Sequence, residues 1–141
     1  MGEVDQRRLV FHGAIVLLAG SLCGIPEATS IGAGAPEVRV HAWRVAHDGL
    51  IAAGIMMVAV GAALPVVGSP GVARWISRLL VGAGYGAIVG LAFAALAGVR
   101  GLEPTGPPAN FVAFLGNMIV AVGALAGLPL LIWGTRGATR S

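Results

Sequence analysis

Four apolar runs, each close to the length that crosses a lipid bilayer, restrict this chain to one class of fold. They cover residues 9–25, 46–67, 76–99 and 111–133. A hydrocarbon core of ~30 Å takes about 20 helical residues at ~1.5 Å each. With 57% hydrophobic and 11% charged residues and a mean hydropathy of +0.88, too little polar surface exists to coat a water-soluble domain, so the bilayer is the solvent. In lipid every backbone N–H and C=O must be satisfied internally, which selects helices. The expectation is an all-α, integral membrane four-helix bundle, with residues 1–141 forming a single domain.

The first run, 17 residues, is short for a span and has some marks of a signal peptide. Arg7 and Arg8 resemble an n-region and Ala33-Gly34-Ala35 an A-x-A site, but Pro36 directly after it disfavours cleavage. The run is retained as a helix. Residues 26–40, PEATSIGAGAPEVRV, carry Gly, Pro and Ser without a helical period and predict a linker. Pro65 with Gly68, Ser69, Pro70 and Gly71 closes the second span, and RGLEPTGPPAN separates the third from the fourth.

All nine basic residues are arginines in the ends and connections rather than in one patch, so the net charge of +3 reports topology and not nucleic-acid binding. Four spans put both termini on one side. That side collects Arg7, Arg8, Arg74, Arg78, Arg136 and Arg140, against Arg39, Arg44 and Arg100 opposite, which predicts cytoplasmic N- and C-termini in a bacterial-type inner membrane. Trp43, Trp75 and Trp133 fall at the predicted span ends, where interfacial aromatics belong. Gly82, Gly86 and Gly90 on the third span, and Gly20 and Gly24 on the first, form small-residue stripes that let helices approach closely within or between subunits. The single Cys23 excludes an internal disulfide. It reads as apolar filler, as Met56, Met57 and Met118 read mostly as packing.

The stretch from His41 to Pro65 carries two histidines, an arginine and an aspartate at its mouth. Ionisable groups near a bilayer are costly, roughly 2.5–3.5 kcal/mol for Arg or Asp at its centre, so they mark sites. His12 lies just inside the inner face and His47 just inside the outer face, roughly 20 Å apart in depth at ~1.5 Å per residue. One metal cannot take both. At most one protein ligand then comes from this pair, with an open position opposite, which favours substrate chemistry over pure electron transfer. His47 is either that ligand or an interfacial histidine hydrogen-bonded to a neighbour, and the loop residue His41 points away from it. Arg44 pairs with Asp48 four residues on, or with an acidic cofactor group such as a haem propionate. Asn117, the one uncharged amide in a span, needs a partner there. A phosphate loop, a Ser-His-Asp order, paired carboxylates and CxxC are all missing, against hydrolases and nucleotide enzymes.

Trp43, Ala46, His47, Gly49, Gly54, Met56, Ala59, Val60, Leu64, Pro65 and Gly68 resemble, without a gap, the second helix of the styrene oxide isomerases. His12-Gly13, Arg78-Leu79-Leu80 and Arg100-Gly101-Leu102 resemble that family's other motifs, so the likeness runs from Arg8 to Trp133. The resemblance implies a homotrimer with haem b between adjacent subunits and iron held by His47, beside Arg44 and Trp43. It also implies a small hydrophobic epoxide as substrate, opened by ferric iron as a Lewis acid toward a benzylic cation, with a 1,2-shift giving the aldehyde. The family's asparagine six residues after the ligand falls on Ala53, and its helix-three tyrosine on Leu91 or Ala95; Tyr85 matches neither. A pocket of Ala53, Leu91 and Ala95 should admit bulkier epoxides, with Asn117 replacing the missing amide. The rivals are a haem protein that senses, stores or carries electrons, and a cofactor-free structural or transport-like membrane protein.

Overall fold

A computed structural model describes residues 2–136; Met1 and residues 137–141, with the topological marker Arg140, lie outside the described residues. The described chain is helical, without strands. In order it forms α1 (Gly2–Gly32), α2 (Glu37–Ala63), a 3-10 turn (Leu64–Val66), α3 (Pro70–Ala87), a π-helical segment (Ile88–Phe93), α4 (Ala94–Ala97) and α5 (Pro108–Thr135). Pro70 and Pro108 start α3 and α5 at the position where a missing N–H costs nothing. Gly98, left-handed at φ 68°, ends α4. Four helical stretches are long and apolar enough to cross a membrane, with α3, the π segment and α4 acting as one. They fit an integral membrane protein.

The helices run further than the apolar runs do. Residues 26–40 are not a linker: α1 continues through Pro26 to Gly32 and α2 begins at Glu37, leaving residues 33–36 as the connection. Polar and turn-forming side chains made that stretch read as loop, but in lipid the backbone keeps its helical bonds even where a proline removes one. Thr29 Oγ1 donates to the Pro26 carbonyl at 3.2 Å within this turn. His41 is therefore helical rather than in a loop, and Trp43 and Arg44 sit well inside α2.

The helices pair as two antiparallel hairpins. In the first, the Cβ that Gly61 lacks would meet Val10, that of Gly54 would meet Leu17, and that of Gly20 would meet Leu50 and Ile51. As residue numbers rise on one helix they fall on the other. In the second, Gly86 lies against Gly116 and Ile119, and Gly123 against Leu79 and Ala83. At Gly82, although part of the same four-residue stripe, an added Cβ would meet nothing within 4 Å. Helices α1 and α3 join the hairpins side by side, with Ser77 Oγ donating to the Asp5 carbonyl at 3.2 Å and Leu9, Val16, Leu50, Met57, Ile76 and Leu80 buried between them. Lipid gives apolar burial little driving force, so close backbone approach at glycine does the work of association.

Candidate functional site

His47 is half-buried on the face of α2 that meets α1. Its Nδ1 lies 2.8 Å from the Gly20 carbonyl oxygen. A carbonyl only accepts, so Nδ1 carries the proton and donates it, and in the neutral ring the lone pair is left on Nε2. Gly24 makes room for the ring, because a Cβ there would lie 3.2 Å from Nδ1. A backbone carbonyl that fixes one ring nitrogen is how metal-ligating histidines are usually oriented, since it sets the tautomer and raises the basicity of the other nitrogen.

Arg44, one turn before His47, does not pair with Asp48. Its Nε donates to Glu27 Oε1 of α1 at 3.0 Å. The antiparallel register brings Glu27 to that height, and it could be seen only once residues 26–32 were known to be helical. Trp43 also departs from expectation: it is 9% exposed, whereas Trp75 and Trp133 are each 58% exposed as interfacial rings should be.

A cleft of about 780 Å3 opens on the other side of α2. Helices α2 and α5 do not pack along it, and the π segment and α4 form its far wall. Trp43, Leu91, Ala95 and Asn117 all line it. The structure thus gathers four of the residues singled out from the sequence. It does not bring His47, Arg44 or Ala53 there: Ala53 packs against the core, and none of the three lines the cleft, although Trp43, one turn before His47 on α2, does. Asn117 Nδ2 donates to the Gly101 carbonyl at 2.9 Å, and its Oδ1 sits against Gly90 in the π segment. Asn110 holds the same loop, accepting from Gly101 N–H at 2.8 Å and donating to the Glu103 and Thr105 carbonyls. Two asparagines of α5 therefore pin residues 101–105 over the cleft mouth.

His12 belongs to another place. Its Nδ1 is 2.8 Å from the Tyr85 hydroxyl, and the two rings meet edge to face. His47 contacts α1 at Gly20 and Gly24, eight to twelve residues beyond His12, so the two histidines differ in depth by about 12–18 Å at ~1.5 Å per residue. The two are kept apart, by somewhat less than the roughly 20 Å expected. Cys23 is buried, and among the described residues no three His, Cys, Asp or Glu side chains are clustered as a metal cage. A bare ion lacks ligands here. The donor set fits a metal that brings its own equatorial nitrogens and needs one imidazole, as haem iron does.

No curated protein and no solved structure matches the chain. A family model described as styrene oxide isomerase matches residues 5–136, which takes in α2 whole, both walls of the cleft and the His12–Tyr85 pair. By that match over nearly its whole length, the chain belongs to the styrene oxide isomerase family.

Proposed function

We propose that the protein is a membrane-bound, haem b-dependent epoxide isomerase that works as a homotrimer with both termini in the cytoplasm. The observation that carries this reading is the His47 imidazole, whose Nδ1 proton is committed to the Gly20 carbonyl so that Nε2 is presented as a ligand. When bound, ferric haem b supplies a Lewis acid toward the epoxide oxygen, with no net redox change. The rest falls to the chain. The Gly20 carbonyl holds the ligand ring, the Glu27 carboxylate steadies Arg44 one turn away, and Arg44 remains half exposed for an acidic cofactor edge.

The cleft suits isomerisation rather than hydrolysis. Its lining is mainly Ala, Gly, Leu and Val, with no carboxylate and with His41 as the one lining side chain that could activate water. An epoxide opening there toward a cation meets few competing nucleophiles, which leaves the 1,2-shift to the carbonyl product. His47 does not line the cleft of its own subunit. In a trimer, a site shared between neighbours would join His47 of one chain to the cleft of the next, and this favours the trimer.

The visible spectrum of detergent-purified protein beside His47→Ala, followed by addition of styrene oxide, tests the proposal. A Soret band that His47→Ala abolishes, with aldehyde formed by the parent protein, is the expected result. A band without product favours a haem carrier or sensor. That reading has its own support in Ala53, which stands in the core where the family has its asparagine, and in Tyr85, which is engaged by His12 away from the cleft. No band in a haem-replete preparation would overturn both.

A further inference from the structure

The rim of the cleft carries a charge pattern that an aryl epoxide would not use. Small-molecule sites commonly enclose ~300–1,000 Å3, and this one has about 780 Å3, widened by Ala42, Ala94, Ala95 and Ala97. Arg39, His41 and Arg100 line it together with the apolar wall, and no Asp or Glu does. The ion pairs formed by described residues join Arg7 to Glu3, Arg8 to Asp5 and Arg44 to Glu27, so neither Arg39 nor Arg100 is neutralised by an acid. Glu37 and Glu103 stand nearby in sequence but outside the lining. Arg100 is held in place from behind, since the adjoining Gly101 is bonded through both its N–H and its carbonyl to Asn110 and Asn117.

We propose that the substrate of this site is an epoxide carried on a long apolar chain that ends in a carboxylate, its chain in the cleft and its carboxylate on Arg39 and Arg100. The assignment rests on the isomerase reading above. Guanidinium groups pair with carboxylates through parallel N–H···O bonds, and the apolar body of such a molecule partitions into the bilayer from which the cleft is reached. Styrene oxide carries no anionic group for either arginine to bind. The reaction stays redox-neutral: one epoxide C–O bond breaks, a hydrogen or carbon group migrates with its electron pair to the adjacent carbon, and the remaining C–O becomes a carbonyl.

Binding is read by quenching of Trp43, which lines the cleft, in full-length protein carrying Trp75→Phe and Trp133→Phe. The probes are 9,10-dibromostearate, its methyl ester, and a phosphatidylglycerol with brominated chains. The acid should quench at roughly tenfold lower concentration than the ester. Arg39→Gln with Arg100→Gln should erase the difference, and Arg39→Lys with Arg100→Lys should largely keep it, which separates charge from folding. Equal quenching by acid and ester, a preference that survives the glutamine pair, or equally strong quenching by the phospholipid would overturn the proposal.

Turnover separates the two levels of the argument. Isomerisation of 9,10-epoxystearate with a kcat/KM above that of its methyl ester supports the substrate class. Turnover of styrene oxide without that preference overturns the class and leaves the isomerase standing. An acid preference in binding with no epoxide converted overturns the isomerase reading, and the substrate assignment with it.

Discussion

The two sides of α2 are built differently. On one side α1 and α2 close along Gly13, Gly20, Gly24, Gly54 and Gly61, each lying so near the other helix that an added Cβ would come within 3.2 Å of a neighbour. On the other, α2 faces a π-helical segment, a four-residue helix and a loop pinned by two asparagines, and a cleft remains. The close-packed side holds His47 still, and the irregular side supplies space. A ligand atom must be placed within fractions of an ångström, whereas a substrate chamber needs volume, and one helix serves both by presenting different faces.

Substitutions on the two sides should therefore differ in size and kind. The largest effect is expected at Gly54→Val, since a Cβ would sit 2.7 Å from the Leu17 backbone nitrogen and 2.9 Å from the Gly13 carbonyl oxygen, neither of which can rotate away. Overpacking of this sort costs about 1–3 kcal/mol, and thermal unfolding in detergent should show the loss together with any haem. Next comes Asn117→Ala, which frees the Gly101 carbonyl; loss of about 1 kcal/mol of stability is expected. Hydrogen exchange should rise in residues 98–105 and stay unchanged around His47, and equal protection in both forms would show that the loop is held by other contacts. If epoxide turnover were untouched as well, Asn117 would have no part in the reaction.

A smaller effect is expected for Glu27→Gln. The pair with Arg44 is 45% exposed on the arginine side, so its loss should cost under about 1 kcal/mol and leave the fold intact. The Soret band should shift or weaken while persisting, because the ligand itself is kept. Smallest is Gly82→Ala, at the one position of the α3 stripe with nothing within 4 Å. Replacing glycine in a helix should stabilise the chain by about 0.5–1 kcal/mol. If it instead lowered trimer stability in sedimentation, Gly82 would lie at a contact between subunits.

Much of this was legible in the sequence because lipid imposes simple rules. Apolar length gave the four spans, and the depth argument kept His12 and His47 apart. What stayed hidden depended on register. Pro26, Glu27 and Thr29 look like loop residues, and only the continuous α1 brings Glu27 beside Arg44. The π segment was invisible, since IVGLAF carries no signal that separates a wide turn from an ordinary one. Leu91 and Ala95 could be chosen from the family pattern and Asn117 as the one amide in a span, yet that they share a cleft with Trp43, while Ala53 packs elsewhere, follows from how α2 is rotated. A one-residue change in that rotation would move each side chain by about 100°.

The most direct test of the central claim, that His47 of one subunit serves the cleft of the next, mixes two inactive chains. His47→Ala removes the ligand and leaves the cleft, while Ala95→Trp fills the cleft and leaves the ligand. Co-expressed and purified as mixed trimers through two different tags, they should regain a fraction of the parent's epoxide turnover, because some interfaces then join an intact histidine to an open cleft. Mixed trimers as inactive as either chain alone, beside an active parent, would contradict the account.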